Sequence, residues 1–151
     1  MKRNKGFTLV EILIVVIILG ILAAIVIPQF TEASNDARVS ALVSDLQTVR
    51  SQVELYKIQH LDRFPGWNGT TVVAADFVAD LTGKTAIDGA SGGTLGPYLQ
   101  KFPTNPFNSS SDVAVVTQAA DPNSVVAGGT GWWFNVTTGN FGCNYADYID
   151  Q

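Results

Sequence analysis

The sequence predicts an α+β protein, in which a long N-terminal α-helix, apolar in its first half and amphipathic in its second, carries a small C-terminal antiparallel β-sheet. Three observations predict it. Residues 7–27 form an apolar run whose one charged member is Glu11. Beyond Pro28, Val39, Leu42, Leu46, Val49, Val53 and Tyr56 recur at alternating steps of three and four, the spacing of one helix face. Past His60, short β-branched and aromatic segments alternate with Gly- and Pro-rich stretches, the pattern of strands and turns.

At about 1.5 Å per residue the apolar run reaches roughly 32 Å, enough to cross the hydrocarbon core of a bilayer. Lys2, Arg3 and Lys5 precede it, while Glu32 and Asp36 follow it. Positive-inside logic therefore leaves the C-terminal bulk outside the cytoplasm. An ordinary secretory signal fits poorly. The run exceeds the usual h-region, and Leu22 or Ile21 stands where the cleavage rule wants a small residue. A plain membrane anchor remains open.

A carboxylate inside a membrane-length helix costs about 2.5–3.5 kcal/mol at mid-span and less near an end, so Glu11 calls for a cationic partner or a function. Cleavage between Gly6 and Phe7 would supply one. The freed Phe7 amine would be largely charged at neutral pH and would lie one helical turn from Glu11. The amine of a neighbouring copy could serve instead, which would make Glu11 an assembly device fixing the stagger between greasy helices. An acid merely tolerated near the headgroups is the other reading.

Gly6-Phe7-Thr8-Leu9-Val10-Glu11-Ile12, followed by Gly20-Ile21-Leu22-Ala23-Ala24 and Pro28, resembles the leader and N-terminal helix of type IV pilins and type II secretion pseudopilins. The resemblance implies that residues 1–6 are a leader removed by a membrane aspartyl prepilin peptidase, which also methylates the new Phe7 amine. It implies a transmembrane and filament-core helix over 7–28, an amphipathic helix over 29–62 and a pilin-like globular head over 63–151. It further implies a helical homo-oligomeric filament, a cytoplasmic assembly ATPase, a polytopic inner-membrane platform protein and minor pseudopilins. The bacterial inner membrane would hold the chain by a single pass, with its head in the periplasm until assembly.

Removing the leader takes three of the nine Lys and Arg and none of the thirteen Asp and Glu, so the formal charge goes from −4 to −7. Such an acidic body offers no basic surface for nucleic acid. Cys143 is the only cysteine, which excludes an internal disulfide and leaves a buried thiol or an intermolecular bridge. Many type IV pilins staple a C-terminal loop with two cysteines, and this chain departs from them.

Pro28 lacks the amide that would bond back to Ala24, so a helix break, as a kink or local loosening, is expected there. In pilin-like filaments this is where the helix stretches, which the resemblance alone implies. Pro65 and Gly66 are expected to stop the long helix. Tyr56-Lys57 with Phe64-Pro65, and Gly96-Pro97-Tyr98-Leu99 with 102–108, resemble stretches of major pseudopilins. Residues 76–82 suggest a short helix, 83–96 a glycine-rich loop, and the aromatic and proline cluster after it a lid over the long helix.

Residues 113–116 and 131–136 are the strand candidates, and the turn 137–140 returns the chain through 141–143 as a hairpin. Trp132 and Trp133 should point to opposite faces, one into the core and one outward. With Trp67 they could form an aromatic platform for carbohydrate. His60, the only histidine, reads as a solvated position at the helix end, and no nucleophile motif, zinc spacing or phosphate loop is present. Catalysis is not expected.

Major pseudopilins hold calcium in a C-terminal loop rich in Asp and Gly. This tail lacks a Gly-Pro-Asp-Gly-like run, so the candidate metal ligands reduce to Asp147 and Asp150, which also read as solubilising charges. The resemblance thus implies a structural subunit of a type II secretion pseudopilus. A type IV pilus subunit for adhesion or motility is the alternative, and a membrane-tethered glycan- or protein-binding module is the reading from a different class.

Overall fold

The computed structural model describes residues 6–117 and 129–145. Helix α1 (Leu9–Gln59) contains 51 residues and runs through Pro28 without interruption. Pro28 thus lies inside one continuous helix, as a kink or local loosening without a stop requires. A proline removes a single amide donor, and the remaining ladder keeps the helical path. Nearby, the Thr31 hydroxyl donates to the Ile27 carbonyl at 3.2 Å.

By contact the chain divides into two compact units, Met1–Val39 and Ser40–Gln151. The hydrophobic core belongs to the second. Leu42, Leu46, Val49, Val53 and Tyr56 are the buried face of α1, as their spacing predicts, while Val39 is half-buried.

Helix α1 ends before the expected stop at Pro65 and Gly66. Leu61 and Asp62 adopt φ of 56° and 62°, and the Asp62 amide donates to the Lys57 carbonyl at 3.0 Å. That six-to-one bond around a left-handed residue closes a helix end without glycine. The Pro-Gly pair follows as part of the next turn, where the Gly66 amide donates to Asp80 Oδ2 at 2.7 Å.

Helix α2 (Ala74–Thr82) buries Phe77 and Leu81. The segment after the glycine-rich loop includes a cis peptide at Gly96-Pro97, and the Tyr98 and Leu99 amides both donate to the Leu81 carbonyl, at 3.0 and 2.8 Å. Its Tyr98 hydroxyl reaches Gln59 Oε1 at 2.6 Å, so this segment does lie over the end of α1.

Strands β1 (Val113–Val116), β2 (Trp132–Asn135) and β3 (Phe141–Cys143) form one sheet in the order β1-β2-β3. β2 and β3 pair antiparallel, as the hairpin predicts, with Trp132 opposite Cys143. β1 pairs with β2 in parallel, Val113 opposite Trp132. The expected all-antiparallel sheet is thus a mixed one. Only the tight turn forces an antiparallel neighbour, whereas the connection 117–131 is long enough for the crossover that a parallel pair needs. Phe77 of α2 meets Phe134 of β2 with centroids 4.7 Å apart, and within the sheet Trp132 stacks on Phe141 at 5.5 Å.

Candidate functional site

The start of α1 is organised by two side chains. The Glu11 amide donates to the Thr8 hydroxyl oxygen at 3.3 Å. In return Glu11 Oε2 accepts from the Thr8 amide at 2.8 Å and from its hydroxyl at 2.7 Å. This is a capping box, in which the residue before the helix and the residue in its first turn satisfy each other's orphan donors. Thr8 is a site residue that the sequence reading passed over, although the Thr-x-x-Glu spacing could have disclosed it.

Both bonds from Thr8 go to one carboxylate oxygen, Oε2. Neither ion pair recorded among the described residues involves Glu11, since both belong to Lys57. Gly6 and Phe7 precede the helix in exposed backbone, which suits a scissile bond.

Downstream of the cap the helix is a bare apolar surface. Phe7 is 84 % exposed and Phe30 73 %, and no residue of its most apolar stretch is buried within the chain. Phe7, Leu9, Ile12, Leu13 and Val16 line a shallow hollow at its start. An apolar face of this extent is stable only against lipid or other apolar helices.

In the second unit the candidate polar and aromatic residues are structural. His60 is fully buried, contrary to the solvated position expected. Its Nδ1 lies 2.8 Å from the Tyr56 carbonyl and its Nε2 2.9 Å from Thr85 Oγ1. The helix stripe continues one step beyond Tyr56, and the loop 83–96 closes over that step, which local sequence does not reveal.

Trp133 is also buried, at 8 % exposure against 0 % for Trp132, so these two form no open platform for a sugar. The Trp132 indole donates to the Pro103 carbonyl and the Trp133 indole to the Cys143 carbonyl, both at 3.0 Å. Trp133 lies across its strand partner Gly142, where a Cβ would stand 2.3 Å from the indole ring. Trp67 remains 37 % exposed.

Cys143 is a buried free thiol. Asn105 Nδ2 donates to its sulfur at 3.2 Å and to the Gly131 carbonyl at 2.8 Å. Burial pushes the thiol above its ordinary pKa, the Asn105 bond opposing this. Asp147 and Asp150 lie outside the described residues. Among the described residues no three His, Cys, Asp or Glu side chains gather as a metal site would require.

The fold and the site together define a class: a chain with a capped, membrane-length apolar helix and a small α+β head. Comparison with known proteins narrows it. The family profile of the prokaryotic N-terminal methylation motif matches residues 1–27. The chain is 33 % identical over 106 residues to the type II secretion system core protein G of Pseudomonas aeruginosa, covering 70 % of each chain. It is 30 % identical over 109 residues to the protein of the same name from Klebsiella pneumoniae, covering 72 % of this chain and 73 % of the relative. With the type IV major fimbrial protein FimA of Dichelobacter nodosus it shares 37 % over 95 residues, and the chain spans only 61 % of that relative's length. No solved structure matches it. The chain belongs to the pilin and pseudopilin family.

Proposed function

We propose that the chain is a structural, noncatalytic subunit that polymerises into the pseudopilus of a type II secretion system, the short filament that drives folded proteins across the outer membrane. The observation that carries this reading is the apolar surface of the segment from Phe7 through Phe30, exposed along its length, whose one charged residue is the capped Glu11. Lipid covers such a face in the unassembled subunit, and the helices of other subunits cover it in a filament.

In this reading a prepilin peptidase cuts between Gly6 and Phe7 and methylates the Phe7 amine. The amine then meets Glu11 of another copy and sets the axial register. Its charge removes the cost of the carboxylate in an apolar surround. The head stands in the periplasm, and an assembly ATPase, a platform protein and minor pseudopilins serve the filament. The fimbrial relative favours a second reading, a type IV pilus subunit, which shares all of these steps except the cargo.

The test is the intact mass and N-terminal peptide mass of the chain recovered from native membranes. A chain starting at N-methylated Phe7 is expected. Retention of Met1 to Gly6, or a cut beyond Ile27, would overturn the reading.

A further inference from the structure

The chain holds a single Asn-Gly pair, Asn68-Gly69. It stands in a tight turn between Trp67 and Val72, which pair as an isolated antiparallel bridge. The Asn68 amide donates to the Thr71 carbonyl at 3.1 Å, and Asn68 Oδ1 accepts from the Thr70 and Thr71 amides, both at 3.0 Å. Residues 68–71 are all exposed.

Closure of an asparagine side chain onto its own backbone needs water access, a next residue with no side chain in the way, an amide nitrogen free to attack and a polarised side-chain carbonyl. Asn68 has each of them. Gly69 sits at φ of 98° with open space where a Cβ would stand, a conformation that glycine adopts without strain. Its amide has no acceptor among the described residues. The bonds to Thr70 and Thr71 turn the Asn68 side chain forward along the chain, toward that nitrogen. They also place two N–H groups on the oxygen where negative charge develops when Cγ is attacked, as an oxyanion hole does.

At other described positions a condition is missing. Asn105 precedes Pro106, which has no amide proton to lose. The amides after Asn108 and Asn135 are engaged, Ser109 with the Asn105 carbonyl at 2.8 Å and Val136 with the Val116 carbonyl at 3.0 Å. Asp88-Gly89 is the nearest rival, but its Gly89 amide donates to the Ala86 carbonyl at 2.9 Å, and a carboxylate is a poorer electrophile than an amide.

We infer that Asn68-Gly69 is a self-modifying turn, in which the Gly69 nitrogen closes on the Asn68 side chain and water reopens the ring to aspartate or isoaspartate. The Gly69 nitrogen gives its proton to solvent and bonds to Asn68 Cγ. The Cγ–Nδ2 bond then breaks, and the nitrogen leaves as ammonia with a proton from water. Water adds to either carbonyl of the five-membered ring, so the net change is amide and water to carboxylic acid and ammonia. This chemistry is independent of whether the chain assembles. The two products differ in the fold. An aspartate keeps the main-chain length, and its charged carboxylate accepts the Thr70 and Thr71 amides more strongly. An isoaspartate adds a methylene to the main chain between Trp67 and Val72, beside the bond at 2.9 Å from the Val73 amide to the Gly66 carbonyl where α2 begins.

The test is the full chain in detergent, incubated at mildly alkaline pH and digested with trypsin at intervals. The tryptic peptide 64–84 contains no Asn besides Asn68, so a gain of one mass unit in it reports this site. That gain is expected to grow at least about tenfold faster than in peptides carrying the other Asn residues, with isoaspartate revealed by isoaspartyl methyltransferase labelling. Gly69→Ala is expected to slow it at least about tenfold. Asn68→Asp is expected to keep the unfolding temperature of the head, while the isoaspartate-bearing chain unfolds at a lower one. No gain in 64–84 from the unsubstituted chain, or equal rates at all Asn residues, would overturn the inference.

Discussion

The His60 ring lies flat on the Tyr56 ring, with centroids 3.6 Å apart and planes 3° from parallel. The two residues are one turn apart on the core face of α1, and Tyr98 meets both edge-on, at 5.3 and 6.0 Å. A carbonyl can only accept, so Nδ1 donates to the Tyr56 carbonyl, while Nε2 pairs with the Thr85 hydroxyl. The pair therefore fastens the glycine-rich loop to the end of the long helix.

His60→Ala removes that ring and its bond to the buried Thr85 hydroxyl. A loss of about 2–4 kcal/mol in the stability of the head is expected, measured by denaturant unfolding of the full chain in detergent. A loss below about 0.5 kcal/mol would show that the loop is held elsewhere.

Glu11 serves as a helix cap in the single subunit and as a registering charge in the proposed filament, and two variants separate these roles. Thr8→Val removes the capping hydroxyl at a cost of about 1 kcal/mol and keeps the carboxylate. Filaments are expected from Thr8→Val and not from Glu11→Ala, while both chains remain membrane-inserted. Equal loss in the two would assign Glu11 to capping alone, and filaments from Glu11→Ala would refute its assembly role.

Gly142 has no room for a side chain beneath Trp133. Gly142→Ala should destabilise the head by about 1–3 kcal/mol through overpacking, and Trp133→Ala by about 3–5 kcal/mol through the cavity it leaves. Thermal unfolding reads both. A Trp133→Ala head that keeps its melting temperature but loses binding to a glycan would revive the binding-module reading.

Burial raises the Cys143 pKa, and burial followed by the nearby Asp80 carboxylate raises that of Tyr56. Both groups favour the folded state in their protonated forms. Their contributions are full below the unfolded values, about 8.5 for the thiol and about 10 for the phenol, and are lost as pH rises through the higher folded values. The melting temperature is expected to fall above pH of about 8.5 and further above about 10, with the first fall absent in Cys143→Ala. Thiol reagents should label Cys143 only after unfolding.

Calcium removal is expected to leave the melting temperature of the head unchanged. Calcium takes several oxygen ligands, and among the described residues no three His, Cys, Asp or Glu side chains gather at the C-terminal end of the head. A rise of several degrees on adding calcium to chelator-treated protein would instead assign ligands at that end, Asp147 and Asp150 among them.

Much of this protein is written locally. The apolar run with Glu11, the step-of-three-and-four stripe, α2 and the β2-β3 turn follow from periodicity and turn chemistry, because the residues that decide them lie within a few positions of one another. The chain's own sequence thereby determined its long helix, its membrane-length segment and the face of α1 that the head covers. Tertiary structure decided what depends on distant partners. His60 is buried because Thr85 and Tyr98 close over it, Trp133 because Gly142 on the next strand makes room, and β1 is parallel because it docks beside β2 after a long connection. A periodic pattern specifies which side of an element is apolar, but the element that covers it, and in which direction, is chosen only when the whole core packs.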